Sequence, residues 1–400
     1  MQIIRNFTTN LIRLKPPSNK SVTVSTKYLG RPSNNLSIGL VGLANVGKST
    51  FFQSITKSNL GNPANYPFAT IEPTKSIIQV PSTKLEHYAK IYNSQKEIPT
   101  NLTIWDIAGL TKNSSSGAGL GNKFLNDIRQ VDGILQIVRG FVNDEIIHIE
   151  KNKVDPIRDL VIVNDELILK DLEFIEIEIE KSKKNLKKPN MNHEEKNLKI
   201  LEELSDSLYN GVKIINGDWN DEEIEFINTL NLLTAKPTVY LLNVSKEEYL
   251  NQKNQFWSDV EKWINEHSKN DKLIMFSAEY EHEQIENSTD ESNNSIIPSV
   301  IESMRNSLNL ISFYTCGDIE SRQWTIRKGS TAPEAAGLIH TDLQKSFINS
   351  IVYKWEDLEK IEKFDEMRLK SSGKQFKMGK KYIVEDGDVL VIKAGKGKAR

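Results

Sequence analysis

The stretch GLANVGKS, Gly42 to Ser49, decides the fold. It fits the spacing G-x-x-x-x-G-K-[ST]. The apolar run before it, LSIGLVGL from Leu36 to Leu43, reads as a buried strand, and an apolar-periodic helix follows. Phosphate oxygens need unobstructed backbone N–H groups. Glycines let such a loop wrap closely, and the helix start adds a partial positive charge. Lys48 is therefore expected to reach the β- and γ-phosphates of a nucleoside triphosphate, and Ser49 to ligate Mg²⁺.

Downstream, NLTIWDIAGL reads as a second buried strand running into a turn. Asp106 at its end is placed to hold Mg²⁺, and the N–H of Gly109 to face the γ-phosphate. Asp-x-x-Gly turns are common in isolation; a position after a strand beside a phosphate loop makes this one informative. Between the two motifs lies NYPFATIEPT. A threonine there could add a hydroxyl to the metal and release it on hydrolysis, which would make the loop a switch. Thr70 is the candidate and Thr74 the alternative. The plainer reading is a loop pinned by Pro67 and Pro73.

VDGILQIVRG, PTVYLLNV and KLIMFSAE supply three more strands, most of them separated by helical patterns. The expected class is α/β, a P-loop domain with a mainly parallel sheet. Between the third and fourth strands comes a charged insert, 164–235. Ile168, Leu172, Ile175 and Ile179 keep a helical seam, which Leu201, Leu204 and Leu208 continue. The spacing predicts two helices in an antiparallel hairpin joined by KPNMN. FIEIEIE alternates with period two, as a strand would. The seam outruns an ordinary strand, so helix is the reading.

From about residue 308 the pattern changes to short strands with turn glycines and one short helix around HTDLQKSFINS. This predicts a small α+β domain over 308–395, after a P-loop domain over 36–307 and before a basic tail, 396–400.

The bulk composition is that of a globular protein, 38% apolar and 26% charged in 400 residues, with a net charge of -2 that predicts neither a nucleic-acid nor a membrane partner. One cysteine, Cys316, excludes an internal disulfide framework. No apolar run approaches the length needed to span a bilayer. Six histidines and one cysteine show no metal-ligand spacing. Residues 1–35 differ: they carry six basic residues and no acid, the first acid in the chain being Glu72. Ile3, Phe7, Leu11 and Leu14 fall near one helical face. The expectation is a mitochondrial presequence; the alternative is a disordered basic tail on a cytoplasmic protein.

The base should be read near LLNVSKEE, Leu241–Glu248. A guanine reader would show Asn-Lys-x-Asp, whose acid accepts from the N1–H and amine of guanine. Here Asn243 is followed by Val244, Ser245 and Lys246, and lysine has only donors. Leaving guanine's donors unpaired costs on the order of 10⁴-fold when a polar match is removed. The expectation is ATP over GTP; the alternatives are a GTP-specific translation-associated GTPase and a nucleotide-gated RNA- or protein-binding module with vestigial hydrolysis.

Taken in order, GLANVGKSTFF, NYPFATIEPT, DIAGL, GLGNKFLNDIRQVDGI, VDPIRDL and ELILKDLE resemble the YchF/Obg-like ATPase family. WTIRKGSTAPEAAGLIHTDLQKSFI with GKQFKMGKKYIVEDGDVLVIK resembles that family's TGS domain, of β-grasp type. The resemblance covers about Leu36 to Lys393. It implies hydrolysis of ATP by a domain built like a GTPase. It also implies that Asn45, Val46, Gly47, Lys48, Ser49 and Thr50 line the phosphates. Ser49 and Thr70 would hold Mg²⁺, Asn243 and Val244 would meet the base, and Ser277 and Ala278 would form a second base-side turn. The TGS resemblance and the basic runs KSKKNLKK and KAGKGKAR tilt toward ribosomal or other RNA contact; each run alone reads as a solvated face.

Two residues depart from expectation. Regulatory GTPases often place Gln after Asp-x-x-Gly to orient water; here Leu110 can do no such thing. Many family members carry His where this chain has Gln136. Slow intrinsic turnover follows, with the glycine-rich loop Gly117–Gly121 and Asn122 as candidates for positioning water. His340 reads as a capping or packing residue with Thr341 as the helix N-cap. Tyr66, Phe68, Trp105 and Trp324 read as packing aromatics.

Overall fold

The computed structural model describes residues 27–30, 36–57, 75–107, 127–143, 153–186, 192–268, 271–287 and 295–395. Thr70, Thr74, Gly109, Leu110, Gly117–Gly121 and Asn122 lie outside these residues, as do Tyr66, Phe68 and the tail 396–400.

Strands β1 (Leu36–Val41), β2 (Lys75–Gln79), β4 (Asn101–Asp106), β5 (Gly133–Arg139), β6 (Thr238–Asn243) and β7 (Lys272–Phe276) form one sheet in the order β2-β4-β1-β5-β6-β7. β2 runs antiparallel to β4 at the edge; the other pairings are parallel. Every residue of β5 and β6 is buried, as befits strands covered on both faces. Strand β2 has no marked sequence signal, since the five residues KSIIQ carry only two buried side chains.

The insert is helical. Helix α3 (Pro156–Asn185) starts under an Asp155 N-cap with Pro156 in its first turn. Helix α4 (Asn192–Tyr209) packs back along it. Glu176 meets Tyr209, and Ser182 and Asn185 meet Glu194, so the two run antiparallel. The FIEIEIE ambiguity resolves side chain by side chain. Ile175 is buried in the seam with Ile179 packed against it, while Ile177 between them is 48% exposed. Asp171 fastens the hairpin to the following chain, accepting from Leu233 N at 3.0 Å, Thr234 N at 2.7 Å and Thr234 Oγ1 at 2.8 Å. Helix α5 (Asp221–Leu230) receives residues 27–30: Gly30 N donates to Asn228 Oδ1 at 2.9 Å, and Asn228 Nδ2 to Tyr28 O at 3.1 Å. These residues fall inside the stretch 1–35 expected to be a presequence.

A second sheet has the order β11-β10-β12-β8-β9-β3, from β8 (Leu310–Cys316), β9 (Glu320–Arg327), β10 (Phe347–Tyr353), β11 (Phe376–Met378) and β12 (Val389–Ala394). Its last member, β3 (Lys96–Ile98), comes from the P-loop portion and pairs parallel with β9. Helix α2 (Thr83–Tyr92) lies beside it, with Leu85, Tyr88 and Ile91 buried against Tyr314, Tyr353 and Val389. Ser82 Oγ lies 2.8 Å from Tyr314 Oη, and Tyr88 Oη donates to Gly387 O at 2.6 Å. The expected helix around HTDLQKSFINS stops at Lys345; FINS opens strand β10. His340, not Thr341, is the N-cap, its Nδ1 accepting from Asp342 N at 3.2 Å. An imidazole nitrogen lacking its proton accepts as well as a hydroxyl does, and Thr341 is already helical.

Candidate nucleotide-binding site

Parallel pairing brings the carboxyl ends of β1, β4, β6 and β7 to one edge, where an open α/β sheet binds its ligands. The register sets Asp106 beside Leu40, and Asn243 beside Phe276. The loop from β1 into helix α1 (Lys48–Lys57) runs between them. Gly47 takes φ 103°, and a Cβ there would collide with Nδ2 of Asn243. Glycine is therefore required twice over, by backbone and by neighbour. Asn45 sits at φ 61°, a left-handed conformation that asparagine tolerates.

Lys48 is buried at the start of α1. Its Nζ donates to Gly42 O at 3.1 Å and Leu43 O at 2.7 Å, folding the ammonium over the loop. Burial lowers its pKa from 10.5 to about 8, with nearby Asp106 opposing that shift. Ser49 is exposed, and its Oγ donates to Asp106 Oδ2 at 2.9 Å. Two of the three expected metal ligands thus meet; the third, Thr70, lies outside the described residues. Both are hard oxygen donors, and a 2.9 Å separation suits two oxygens around one Mg²⁺. No cluster of three or more His, Cys, Asp or Glu side chains forms a metal site among the described residues. An Mg²⁺ ion would be held here by Ser49 and Asp106 together with phosphate.

On the base side, Asn243 is a brace. Its Nδ2 donates to Val46 O at 2.9 Å, and its Oδ1 accepts from Ala278 N at 3.0 Å. Val46 and Asn243 are both buried, as are Val244, Ser277 and Ala278. Val244 N donates to Phe276 O at 2.9 Å, and Ser277 Oγ accepts from Tyr280 N at 3.3 Å. Phe51 of α1 meets Phe276 edge to face with centroids 5.0 Å apart, pinning the loop's helix to the end of β7. Thr50, beside them on α1, is half-buried. Asn243 thus acts through both of its amide ends on the loop and on the second base-side turn.

Lys246 opens helix α6 (Lys246–Leu250) under a Ser245 N-cap. The two acids that follow it do not replace the missing one. Glu248 is spent on the capping box with Ser245 and on Asn254, and Glu247 is exposed. The acid that does approach is Glu283, on helix α8 (Ala278–Asn287), paired with Lys246 Nζ. The expectation that this corner lacks an acceptor is corrected by that pair. Glu283 lies 37 residues from Lys246, so no local pattern could reveal it. Helix α7 (Trp257–His267) intervenes. Gln136 is buried within β5, between Val41 and Tyr240. In the hairpin, Lys181 pairs with Glu178 and Lys183 with Glu202, a solvated helical surface. No helix among the described residues is long and apolar enough to cross a membrane.

Comparison with known proteins agrees with this geometry. Residues 37–183 match a family described as "50S ribosome-binding GTPase", and residues 310–395 match the YchF-GTPase C-terminal family, described as a protein of unknown function. The "Obg-like ATPase homolog" of Saccharomyces cerevisiae is 49% identical over 93% of this chain and 98% of its own length. "Obg-like ATPase 1" of the same yeast is 46% identical over 96% and 100%. The solved structure of the Schizosaccharomyces pombe YchF GTPase superposes with a TM-score of 0.82 at 44% identity, over 92% of this chain and all of that one.

Proposed function

We propose that this chain, which belongs to the YchF/Obg-like ATPase family, is an Mg²⁺-dependent triphosphatase that hydrolyses ATP in preference to GTP and works as a conformational switch. That it is a nucleotide-hydrolysing enzyme follows from its P-loop domain and its relatives. The observation that carries the Mg²⁺-dependent triphosphatase reading is the meeting of Lys48, Ser49 and Asp106 at one end of the phosphate loop. The Lys48 ammonium now rests on two loop carbonyls. It would exchange them for phosphate oxygens and stabilise charge on the transferred phosphoryl group. Bound Mg²⁺ would neutralise the β- and γ-oxygens. Loop amides from Asn45 to Thr50 would orient the phosphates, and the brace at Asn243 would keep that loop fixed against the base-side turn.

No glutamine follows Asp106-Ile107-Ala108-Gly109, so water would be positioned by the backbone, another loop, an ion or a partner. Turnover by the isolated protein is expected below about 10 s⁻¹. The names of the two Saccharomyces cerevisiae relatives favour ATP as substrate, while the Schizosaccharomyces pombe structure is named a GTPase. The description of the P-loop family favours a ribosomal partner, contacted through the C-terminal domain and basic surface lysines. The acid-free N-terminus favours mitochondrial delivery.

The test measures phosphate release from ATP and GTP by the full chain and by Lys48→Ala, with and without ribosomes. Equal release by the two proteins would sink the enzymatic reading at this site. Fusion of residues 1–35 to a fluorescent reporter checks delivery; a reporter spread through the cytosol would overturn it.

A further inference from the structure

The base-side corner has a charged pair that the motif does not foretell. Lys246 stands three residues beyond Asn243, and Glu283 projects from the helix that begins at Ala278. Asn243 Oδ1 joins those same two segments by accepting from Ala278 N. The pair therefore bridges the two loops expected to flank the base. Its side chains are 41% and 39% exposed, open enough to meet a ligand. The hydrogen bond from Lys246 to Glu283 raises the lysine's pKa, and the charge of Glu283 and Glu279 adds to that.

A carboxylate beside an ammonium offers one acceptor and one set of donors. Adenine presents an amine donor next to the N1 acceptor; guanine presents the O6 acceptor next to donors at N1 and its amine. A lone acid meets both guanine donors but only the amine of adenine, leaving its N1 unmet, and a lone lysine cannot accept from either base. The mixed pair can meet both edges: the carboxylate accepts from the amine of adenine or from guanine N1–H and amine, and the ammonium donates to adenine N1 or guanine O6. Ion pairs this exposed contribute little to stability, so turning either end toward a base costs little.

We propose that Glu283 and Lys246 together read the purine edge, Glu283 as acceptor and Lys246 as donor, and that the pair makes this site tolerant of both purines. The inference rests on the triphosphatase reading of the same site.

The test is calorimetric titration of the full-length chain with ATP and with GTP in Mg²⁺. The wild type should bind GTP less than about tenfold more weakly than ATP, a gap of under about 1.4 kcal/mol. Glu283→Ala leaves only a donor and should raise the ratio Kd(GTP)/Kd(ATP) about three- to tenfold. Lys246→Ala leaves only an acceptor and should lower it by a similar factor. The exchanged pair, Lys246→Glu with Glu283→Lys, keeps one donor and one acceptor and should hold the wild-type ratio. A merely structural brace would weaken both nucleotides by the same factor in each variant. A ratio unmoved by the single variants, or moved in one direction by both, overturns the proposal while leaving the triphosphatase reading intact. A wild type that binds neither nucleotide sinks that reading and this proposal with it.

Discussion

Ser49 Oγ donates to Asp106 Oδ2 across 2.9 Å, joining the first turn of α1 to the end of β4. The two oxygens converge although 57 residues separate them, because β1 and β4 are parallel neighbours. Asp106→Asn keeps the size of the side chain and removes its charge. The Mg²⁺ concentration for half-maximal phosphate release is expected to rise at least about tenfold, as one charged oxygen ligand is lost. An Mg²⁺ titration of phosphate release checks this; an unchanged midpoint would exclude Asp106 from the metal site.

Lys48 carries a pH dependence. Its pKa in the nucleotide-free protein is lowered to about 8, whereas an anionic ligand would pull it back up. The bound form then holds more protons than the free form near and above pH 8, so binding takes up protons and affinity falls as pH rises through that range. Titrations in two buffers of different ionisation heat should show uptake of about half a proton per nucleotide at pH 8. Lys48→Arg should abolish the uptake, since guanidinium stays charged. For folding the sign is opposite. A lysine pKa lowered below 10.5 lets the nucleotide-free fold gain stability from this group as pH climbs from about 8 toward 10.5.

Asn243 holds two buried backbone groups. Asn243→Ala leaves Val46 O and Ala278 N buried and unpartnered, at a cost of about 2 kcal/mol or more. A lowered thermal transition, together with at least tenfold weaker binding of ATP, is the expected outcome. Weaker binding with no loss of stability would mean that Asn243 contacts the base without bracing the loop.

Ser82 caps α2 through Leu85 N at 3.2 Å and meets Tyr314 Oη at 2.8 Å. Ser82→Ala removes both contacts and is expected to cost about 1–2 kcal/mol. Chemical denaturation followed by tryptophan fluorescence checks it. An unaltered midpoint would show that the C-terminal sheet is held without this cap.

The sequence announces what is local. The phosphate loop, Asp106 after its strand and Asn243 after another are each set by neighbours a few residues away. The hairpin was readable because its seam repeats over many turns, enough to outweigh the alternation of Ile175, Ile177 and Ile179. What stayed hidden is non-local or short. Strand β3 is three residues long and pairs with residues 320–322, with no pattern of its own to mark it. Glu283 reaches Lys246 only because β6 and β7 lie side by side. The helix around HTDLQKSFINS ends at Lys345, and no residue sharper than Ser346 marks where it gives way to β10. Lys246 alone argued for a corner without acceptors. The fold supplied the missing carboxylate from another element.

The pairing of β3 with β9 bears on how this protein can be divided. The chain leaves the first sheet after β2, lays α2 and β3 against the second, and returns to the first at β4. A fragment ending at residue 307 would keep α2 and lose what covers it, leaving Leu85, Tyr88 and Ile91 facing water. The seam between the halves is thus not a place where scissors can go. Whatever rearranges at the phosphate loop does so in a body whose far sheet is woven into the strand that carries Asp106.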